Sequence, residues 1–244
     1  MNASMVSGVT LQQLPLEFQP RERLDFSLFI AGANSDCCRQ RVQAQAAGES
    51  AQVYLWGGSG AGKTHLLQAA CQAAVEQARR AVYLPLRDMS GHDPRLLEGL
   101  EVFDLIVMDD MQSIAGDTDW EQAVFALYNS ARDSGRALLI AADSSPRGLL
   151  LQLPDLASRL GWGEVYHLQP LTDEDKCRAL MKRAAARGIE LPAEVANYLL
   201  RRTVRNMAGL MAWLDHLDHA QLAAQRRLSI PFVKALLEDS GLTR

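Results

Sequence analysis

Eight consecutive residues, Gly57-Gly58-Ser59-Gly60-Ala61-Gly62-Lys63-Thr64, have the types and spacing of a phosphate-binding loop. The glycines allow successive backbone N–H groups to turn inward around an anion, and a helix opening at Lys63 adds its positive end. The Lys63 ammonium can then reach the terminal phosphates of a nucleotide, and the Thr64 hydroxyl can serve Mg²⁺. A glycine-rich turn with no ligand would have the same composition. The apolar run Val53-Tyr54-Leu55-Trp56 directly before it, however, supplies the strand that a phosphate loop requires.

Other residues capable of chemistry stand at the ends of later apolar runs. Leu105-Ile106-Val107-Met108 leads into Asp109-Asp110, an acidic pair that can organise Mg²⁺ and its water. Asp109 is expected on the magnesium side. Asp110 could polarise an attacking water, but Asp is one methylene shorter than Glu, which predicts slow hydrolysis unless help arrives. Asp143 could sense a γ-phosphate or its water, and helix capping ahead of Pro146 explains it almost as well. In Leu153-Pro154-Asp155-Leu156-Ala157-Ser158-Arg159-Leu160 the apolar residues pack one side of a short helix and leave Arg159 projecting. Such an arginine can neutralise charge on a phosphoryl group held by a neighbouring molecule, or it is a plain surface charge. Arg205, ahead of a long helical pattern, is placed to point back at the phosphates, with Arg201 and Arg202 as competitors that chemistry alone does not separate.

The elements that must hold these groups follow from periodicity. Five short apolar, β-rich runs, at 53–56, 81–86, 104–108, 137–141 and 164–168, are each followed by a helical pattern. This alternation predicts an α/β fold with a five-stranded parallel sheet between helices. Helices are expected over 64–79 and 119–133, the second with Asp119 near its cap and Trp120, Val124, Leu127 and Tyr128 on one face. Beyond Pro170 only helical periodicity remains, over 172–187, 192–203, 206–227 and 230–239, with Thr172 and Asp175 spaced as a capping box and Pro231 in a first turn. The expected organisation is a flexible tail over 1–22, a nucleotide-binding α/β domain over 23–169 and a small all-helical domain over 170–244. Within the tail, Gln13-Leu14-Pro15-Leu16-Glu17-Phe18 is an extended strip with apolar side chains at alternate positions, suited to a groove on another protein or to folding back on its own domain.

At 244 residues and 48% hydrophobic content the chain has ample core. No run approaches the roughly 20 apolar residues that cross a bilayer, and no signal-type segment opens the sequence, so a cytoplasmic protein without membrane partners is expected. Cys37, Cys38, Cys71 and Cys177 fit no metal-ligand spacing. The formal charge of −4 argues against a protein whose main task is coating DNA. That charge is uneven: residues 1–169 hold 13 Lys/Arg against 20 Asp/Glu, and residues 170–244 hold 12 against 9.

Taken in order, these motifs resemble the AAA+ ATPases, and within them the branch of the bacterial replication initiator DnaA. The resemblance rests on Trp56-Gly57-Gly58 through Lys63-Thr64-His65-Leu66-Leu67, on Met108-Asp109-Asp110-Met111-Gln112 with Ala115-Gly116, on Asp143 to Pro146, on Ser158-Arg159-Leu160-Gly161-Trp162-Gly163 and on Val204-Arg205. It covers the chain from about Phe26 onward and implies an AAA+ core with a helical lid. In that scheme Lys63 and Thr64 belong to Walker A, Asp109 and Asp110 to Walker B, Asp143 is sensor 1, Arg159 the arginine finger and Arg205 sensor 2. Two departures separate the chain from an initiator. The sequence ends at Arg244 after the helical segment, which leads to the expectation of no helix-turn-helix domain and no direct sequence-specific DNA binding. Residues 83–104 are also too few for the additional helix that initiators insert there. What remains is similar to the Hda family of DnaA-related regulators, which carry a short N-terminal motif for the replication sliding clamp. Gln13, Leu14, Leu16 and Phe18 resemble that motif, and Ser229-Ile230-Pro231-Phe232-Val233-Lys234 fits the family in context.

The resemblance implies a nucleotide-bound regulator of replication initiation whose partners are DnaA and the DNA-loaded sliding clamp, the β subunit of DNA polymerase III. ADP is the implied working ligand, ATP is physically allowed by the loop, and Mg²⁺ accompanies either. The protein would stimulate hydrolysis in DnaA rather than turn over efficiently itself, and it could self-associate. The competing expectation is a helicase-loader-like AAA+ ATPase acting on a replicative helicase and single-stranded DNA. Small-molecule phosphoryl transfer would need an acceptor pocket that these residues do not supply.

Overall fold

Strict alternation along short strands decides the architecture. In the computed structural model, which describes residues 24–32, 35–203, 206–224 and 226–239, five parallel strands lie in the order β2-β3-β4-β1-β5. They are β1 (Gln52–Trp56), β2 (Ala81–Pro85), β3 (Leu105–Asp109), β4 (Ala137–Ala142) and β5 (Glu164–His167). Val53, Leu55, Val107 and Leu139 face one side, where α1 (Asp36–Ala46) and α2 (Lys63–Glu76) cover them through Val42, Leu66, Leu67 and Ala70. Tyr54, Ile106, Met108 and Ile140 face the other, against Trp120, Val124, Leu127 and Tyr128 of α4 (Thr118–Asp133). Because helices cover both faces, the inner strands read in sequence as unbroken apolar runs. Between β2 and β3 the chain forms only a one-turn helix, α3 (Leu86–Met89), and two 3₁₀ turns, Pro94–Leu97 and Leu100–Val102.

Past β5 the chain builds a separate helical core. Helices α6 (Asp173–Ala186), α7 (Ala193–Arg202), α8 (Met207–Ala224) and α9 (Ile230–Asp239) enclose Leu180, Leu199, Leu214, Leu217 and Val233. The α6 capping box forms as the spacing of Thr172 and Asp175 predicts, with each side chain meeting the other residue's backbone N–H. The short helix between β4 and β5 is α5 (Pro154–Leu160). No helix among the described residues is long and apolar enough to cross a membrane.

Asp119 stands near the cap of α4 as expected; the cap itself is Asp117, which is extended and whose carboxylate accepts from the N–H groups of Asp119 and Trp120. Three local expectations are corrected. Helix α2 ends at Glu76 rather than 79, because Ala78 adopts a left-handed backbone, φ 57°. Strand β2 ends at Pro85, and Leu86 opens α3 instead. Helix α1 was not foreseen, since its apolar stripe is only Cys38, Val42 and Ala46, spaced four apart, and its fourth buried residue is the polar Gln45. The clamp-motif candidates Gln13, Leu14, Leu16 and Phe18 lie outside the described residues.

Two polar contacts fix the parts that matter for the site. Fully buried Glu121 on α4 accepts from Gly116 N at 2.8 Å and Gln152 N at 3.0 Å on Oε1, and from Leu153 N at 2.7 Å on Oε2. It thereby sets where the chain enters α5. The second contact joins the helical domain to the core. Arg183 Nη2 of α6 lies 3.1 Å from His65 Nδ1, and His65 Nε2 lies 2.8 Å from the carbonyl oxygen of Asp25. A guanidinium only donates, so Nδ1 must accept and Nε2 must carry the proton given to Asp25 O. Burial agrees, pushing the imidazole down to about 4, with Arg183 and Lys182 acting in the same direction and Asp25 opposing.

Glu121→Ala, which leaves three N–H groups without their acceptor, is expected to cost about 3 kcal/mol in chemical denaturation. Glu121→Gln should cost less because Oε1 survives. His65 predicts a pH dependence. Its folded pKa of about 4 lies below the ordinary imidazole value of 6.5, so the unfolded chain binds the proton more readily. Stability from this group is complete above pH 6.5 and is lost as pH falls toward 4, by up to about 3 kcal/mol. Denaturation across that range should show His65→Gln flattening the slope; an unchanged slope would contradict the assignment.

Candidate functional site

The strand register brings the chemical groups to one edge of the sheet. Trp56 pairs with Ala142 and Met108 with Ile140, so the chain leaves β1, β3 and β4 at the same level. In open α/β sheets the crevice beyond these carboxyl ends is where ligands bind. A cleft of about 630 Å³ lies there. Ser59 to Thr64, Asp110 and Asp143 form its floor, Leu28, Phe29 and Ile30 one wall, and Leu171, Met207 and Met211 the wall on the helical side.

The loop is shaped for close backbone approach. A Cβ at position 57 would stand 2.2 Å from the Leu168 carbonyl oxygen. At Gly62 the backbone is left-handed, φ 94°, and a Cβ would press on the Phe29 ring at 2.9 Å. Lys63, only 9% exposed, donates from Nζ to Gly57 O at 2.6 Å and to Gly58 O at 3.2 Å. Burial pushes this ammonium below the ordinary lysine range, while Asp109, Asp110 and Asp143 pull the other way. A buried cation whose hydrogen bonds end on neutral carbonyls lacks a full counter-charge, and a phosphate in the loop supplies one.

Thr64 and Asp109 meet directly, Thr64 Oγ1 donating to Asp109 Oδ2 at 2.7 Å. Tyr83 OH donates to the same oxygen at 2.8 Å, and burial beside Asp109 raises its phenol, keeping it a donor. A hydroxyl and a carboxylate are hard oxygen ligands of the kind Mg²⁺ takes. Among the described residues no group of three or more His, Cys, Asp or Glu could hold a metal by itself. Magnesium here would therefore need phosphate oxygens to complete its shell.

Asp110 has a left-handed backbone, φ 56°, and its Oδ1 accepts from Arg87 Nη2 at 3.2 Å and Gln112 Nε2 at 2.8 Å. Gln112 Oε1 in turn accepts from Asp143 N at 3.1 Å. Arg87, Asp110, Gln112 and Asp143 thus form a polar line across the ends of β2, β3 and β4. No helix begins between Asp143 and Pro154, so the capping explanation for Asp143 has no helix to cap.

The arginines are distributed differently. Arg159 does not line the cleft; its Cζ lies 4.4 Å from the centroid of Trp162 and 5.5 Å from that of Phe125. Arg201 and Arg202 are exposed at the end of α7, with Arg202 over Tyr198. Arg205 lies outside the described residues. The helical domain presents Arg183 to the cleft instead. Sequence reasoning missed Arg183, although it stands four residues beyond Ala179, another cleft residue, on the same helical face. It also missed Arg87, Tyr83 and Gln112, whose only signal is closeness to strand ends.

Comparison with known proteins agrees with this geometry. The model for the bacterial DnaA ATPase domain matches residues 21–167, and that for the Hda lid domain matches residues 173–237. Domain III of the Thermotoga maritima replication initiation protein DnaA superposes with a TM-score of 0.76 at 24% identity, over 88% of this chain and 96% of that one. AMPPCP-bound DnaA from Aquifex aeolicus gives 0.68 at 23% identity, over 80% and 65%. The Thermotoga maritima RuvB Holliday junction branch migration motor gives 0.62 at 18%, over 88% and 71%. The chain spans 64% of a DnaA initiator bound to AMPPCP and single-stranded DNA. At these identities the structural likenesses speak to fold. The family matches, covering more than half of the sequence, say more: the chain belongs to the DnaA/Hda-related AAA+ ATPases, with a five-stranded parallel core and an Hda-type helical lid.

Proposed function

We propose that this protein is a nucleotide-bound regulator of replication initiation that stimulates ATP hydrolysis by DnaA. Arg159 would be presented to the nucleotide that DnaA holds. The position of Arg159 carries the reading. Its carbonyl is bonded to Gln52 Nε2 at 3.1 Å, at the start of β1, whereas the phosphate loop begins at Gly57, past the other end of that strand. Five strand residues separate these points by about 16 Å. An arginine fixed there is displaced from its own nucleotide and serves a neighbour's. Such a residue supplied across an interface raises hydrolysis by roughly 10³ to 10⁵.

In the chain's own cleft, Lys63 and the loop N–H groups would hold the phosphates of ADP or ATP, as the AMPPCP-bound DnaA structures suggest, and Thr64 and Asp109 would hold Mg²⁺. Magnesium supplies charge neutralisation on the phosphates. Arg183, Met207 and Met211 would line the site on the helical side, with Arg205 as a further phosphate contact. Asp110 is already engaged by Arg87 and Gln112, which supports slow turnover by this protein and favours ADP as its resident ligand. The segment Gln13, Leu14, Leu16 and Phe18 would dock on the DNA-loaded sliding clamp and bring the finger to its target.

The test is ATP hydrolysis by DnaA with and without this protein, crossed with clamp on DNA. Stimulation is expected only with all components present, and Arg159→Ala should return it to the unstimulated rate while nucleotide affinity and melting temperature stay within error of wild type. Full stimulation by Arg159→Ala would remove the finger from the mechanism. Strong turnover by the purified chain, raised by single-stranded DNA and indifferent to the clamp, would identify a helicase-loader-like ATPase instead.

A further inference from the structure

Trp162 is 56% exposed, a large apolar surface left in water two residues beyond the end of α5. Its ring is occupied by two cations: the Arg159 guanidinium at 4.4 Å from the centroid and that of Arg132 at 4.8 Å. Among the described residues neither arginine pairs with a carboxylate. Below them the backbone is clamped. The Arg159 carbonyl accepts from Gln52 Nε2 and from Trp162 N, both at 3.1 Å, with the Tyr128 hydroxyl also 3.1 Å away. Gln52 Nε2 additionally holds Leu160 O at 3.0 Å.

We propose that Trp162 is a positioning residue for Arg159: it holds the guanidinium between its indole and Phe125, so that the charge reaches a partner's phosphates already oriented. The inference rests on the finger reading above. An unrestrained arginine side chain samples many rotamers, and ordering it at the moment of contact opposes catalysis. Here the backbone clamp fixes where the side chain starts, and the two rings fix where it ends. Attraction of a guanidinium to a ring face is strongest for Trp, so Phe keeps part of the effect and an aliphatic residue none. The unpaired Arg132 on the same ring adds positive potential around the finger, which an incoming polyphosphate relieves.

The experiment compares wild type, Arg159→Ala, Trp162→Ala and Trp162→Phe in the clamp-dependent assay, titrating this protein against ATP-loaded DnaA. Trp162→Ala is expected to lower the maximal stimulated rate about tenfold, with the half-saturating concentration moving less than about threefold. Trp162→Phe should recover at least about a third of the lost rate. Melting temperature and nucleotide affinity should match wild type, since the ring is exposed and stands outside the cleft. The Arg159 Nε–H proton resonance, shifted upfield by the indole ring current, should move downfield in Trp162→Ala. If Arg159→Ala itself retains stimulation, the finger reading fails and this assignment with it. If Arg159→Ala abolishes stimulation while Trp162→Ala keeps the wild-type maximal rate, the finger stands and Trp162 has no positioning role. A change confined to half-saturation would likewise overturn the proposal, showing Trp162 to be a contact surface only.

Discussion

A buried positive charge sets the terms for this molecule. Lys63 is held among backbone carbonyls at the foot of α2, and the dehydration of its ammonium is tolerable only where opposite charge is close. The sheet meets that requirement through strand order. Placing β4 beside β1 and β3 beside β4 brings Asp110 and Asp143 to the cleft, with Asp109 behind them on Thr64. The loop glycines follow from the same constraint, since Gly57 lets the chain pass the Leu168 carbonyl and Gly62 lets Phe29 close against the helix start. Cation and loop N–H groups face a polyphosphate with positive charge, and a magnesium ion between the phosphates and the carboxylates would offset the repulsion of the latter.

Much of this could be read in the residues before any coordinates. The phosphate loop, the acidic pair and the five strands announce themselves through local pattern, because both faces of the sheet are buried and each strand must be apolar throughout. The Thr172–Asp175 box was equally plain, being a contact between neighbours in sequence. What sequence did not show depends on contacts made across the fold. Glu121 looks like a surface charge on α4 and is fully buried, because three backbone N–H groups from two loops converge on it. Tyr83 reads as one more strand aromatic until β2 is laid beside β3 and its hydroxyl meets Asp109. Helix α1 hid for a different reason: its buried apolar residues are a cysteine, a valine and an alanine, too small to stand out among polar neighbours, and they are joined by a buried glutamine.

The arginines show the same division. Chemistry could nominate Arg159, Arg201, Arg202 and Arg205 but could not say which way each points. Geometry separates Arg159 from the cleft by the length of β1 and puts Arg201 and Arg202 at an exposed helix end. It brings in Arg183, whose guanidinium needs His65 neutral in order to be accepted at Nδ1. One strand consequently organises two distinct capacities. Its carboxyl end opens into the phosphate loop, and its first residue, Gln52, fastens the backbone of Arg159.

This separation constrains how a nucleotide can influence a partner. The lid has its own apolar core and, among the described residues, meets the α/β core beside the cleft through Arg183, His65 and the walls contributed by Leu171, Met207 and Met211. A nucleotide in the cleft would touch Phe29 on one wall and Met211 on the other and so add contacts across this seam. Arg159, by contrast, is fastened wholly within the core, to Gln52, Phe125 and Trp162. On the proposed reading, binding energy from the nucleotide would go into the placement of the lid, while the contacts that hold Arg159 lie away from the cleft. On the same reading, a dependence of partner recognition on the bound nucleotide would run through lid surfaces such as α6 and α8, which carry Arg183, Met207 and Met211 of the cleft wall, and not through the contacts that hold Arg159.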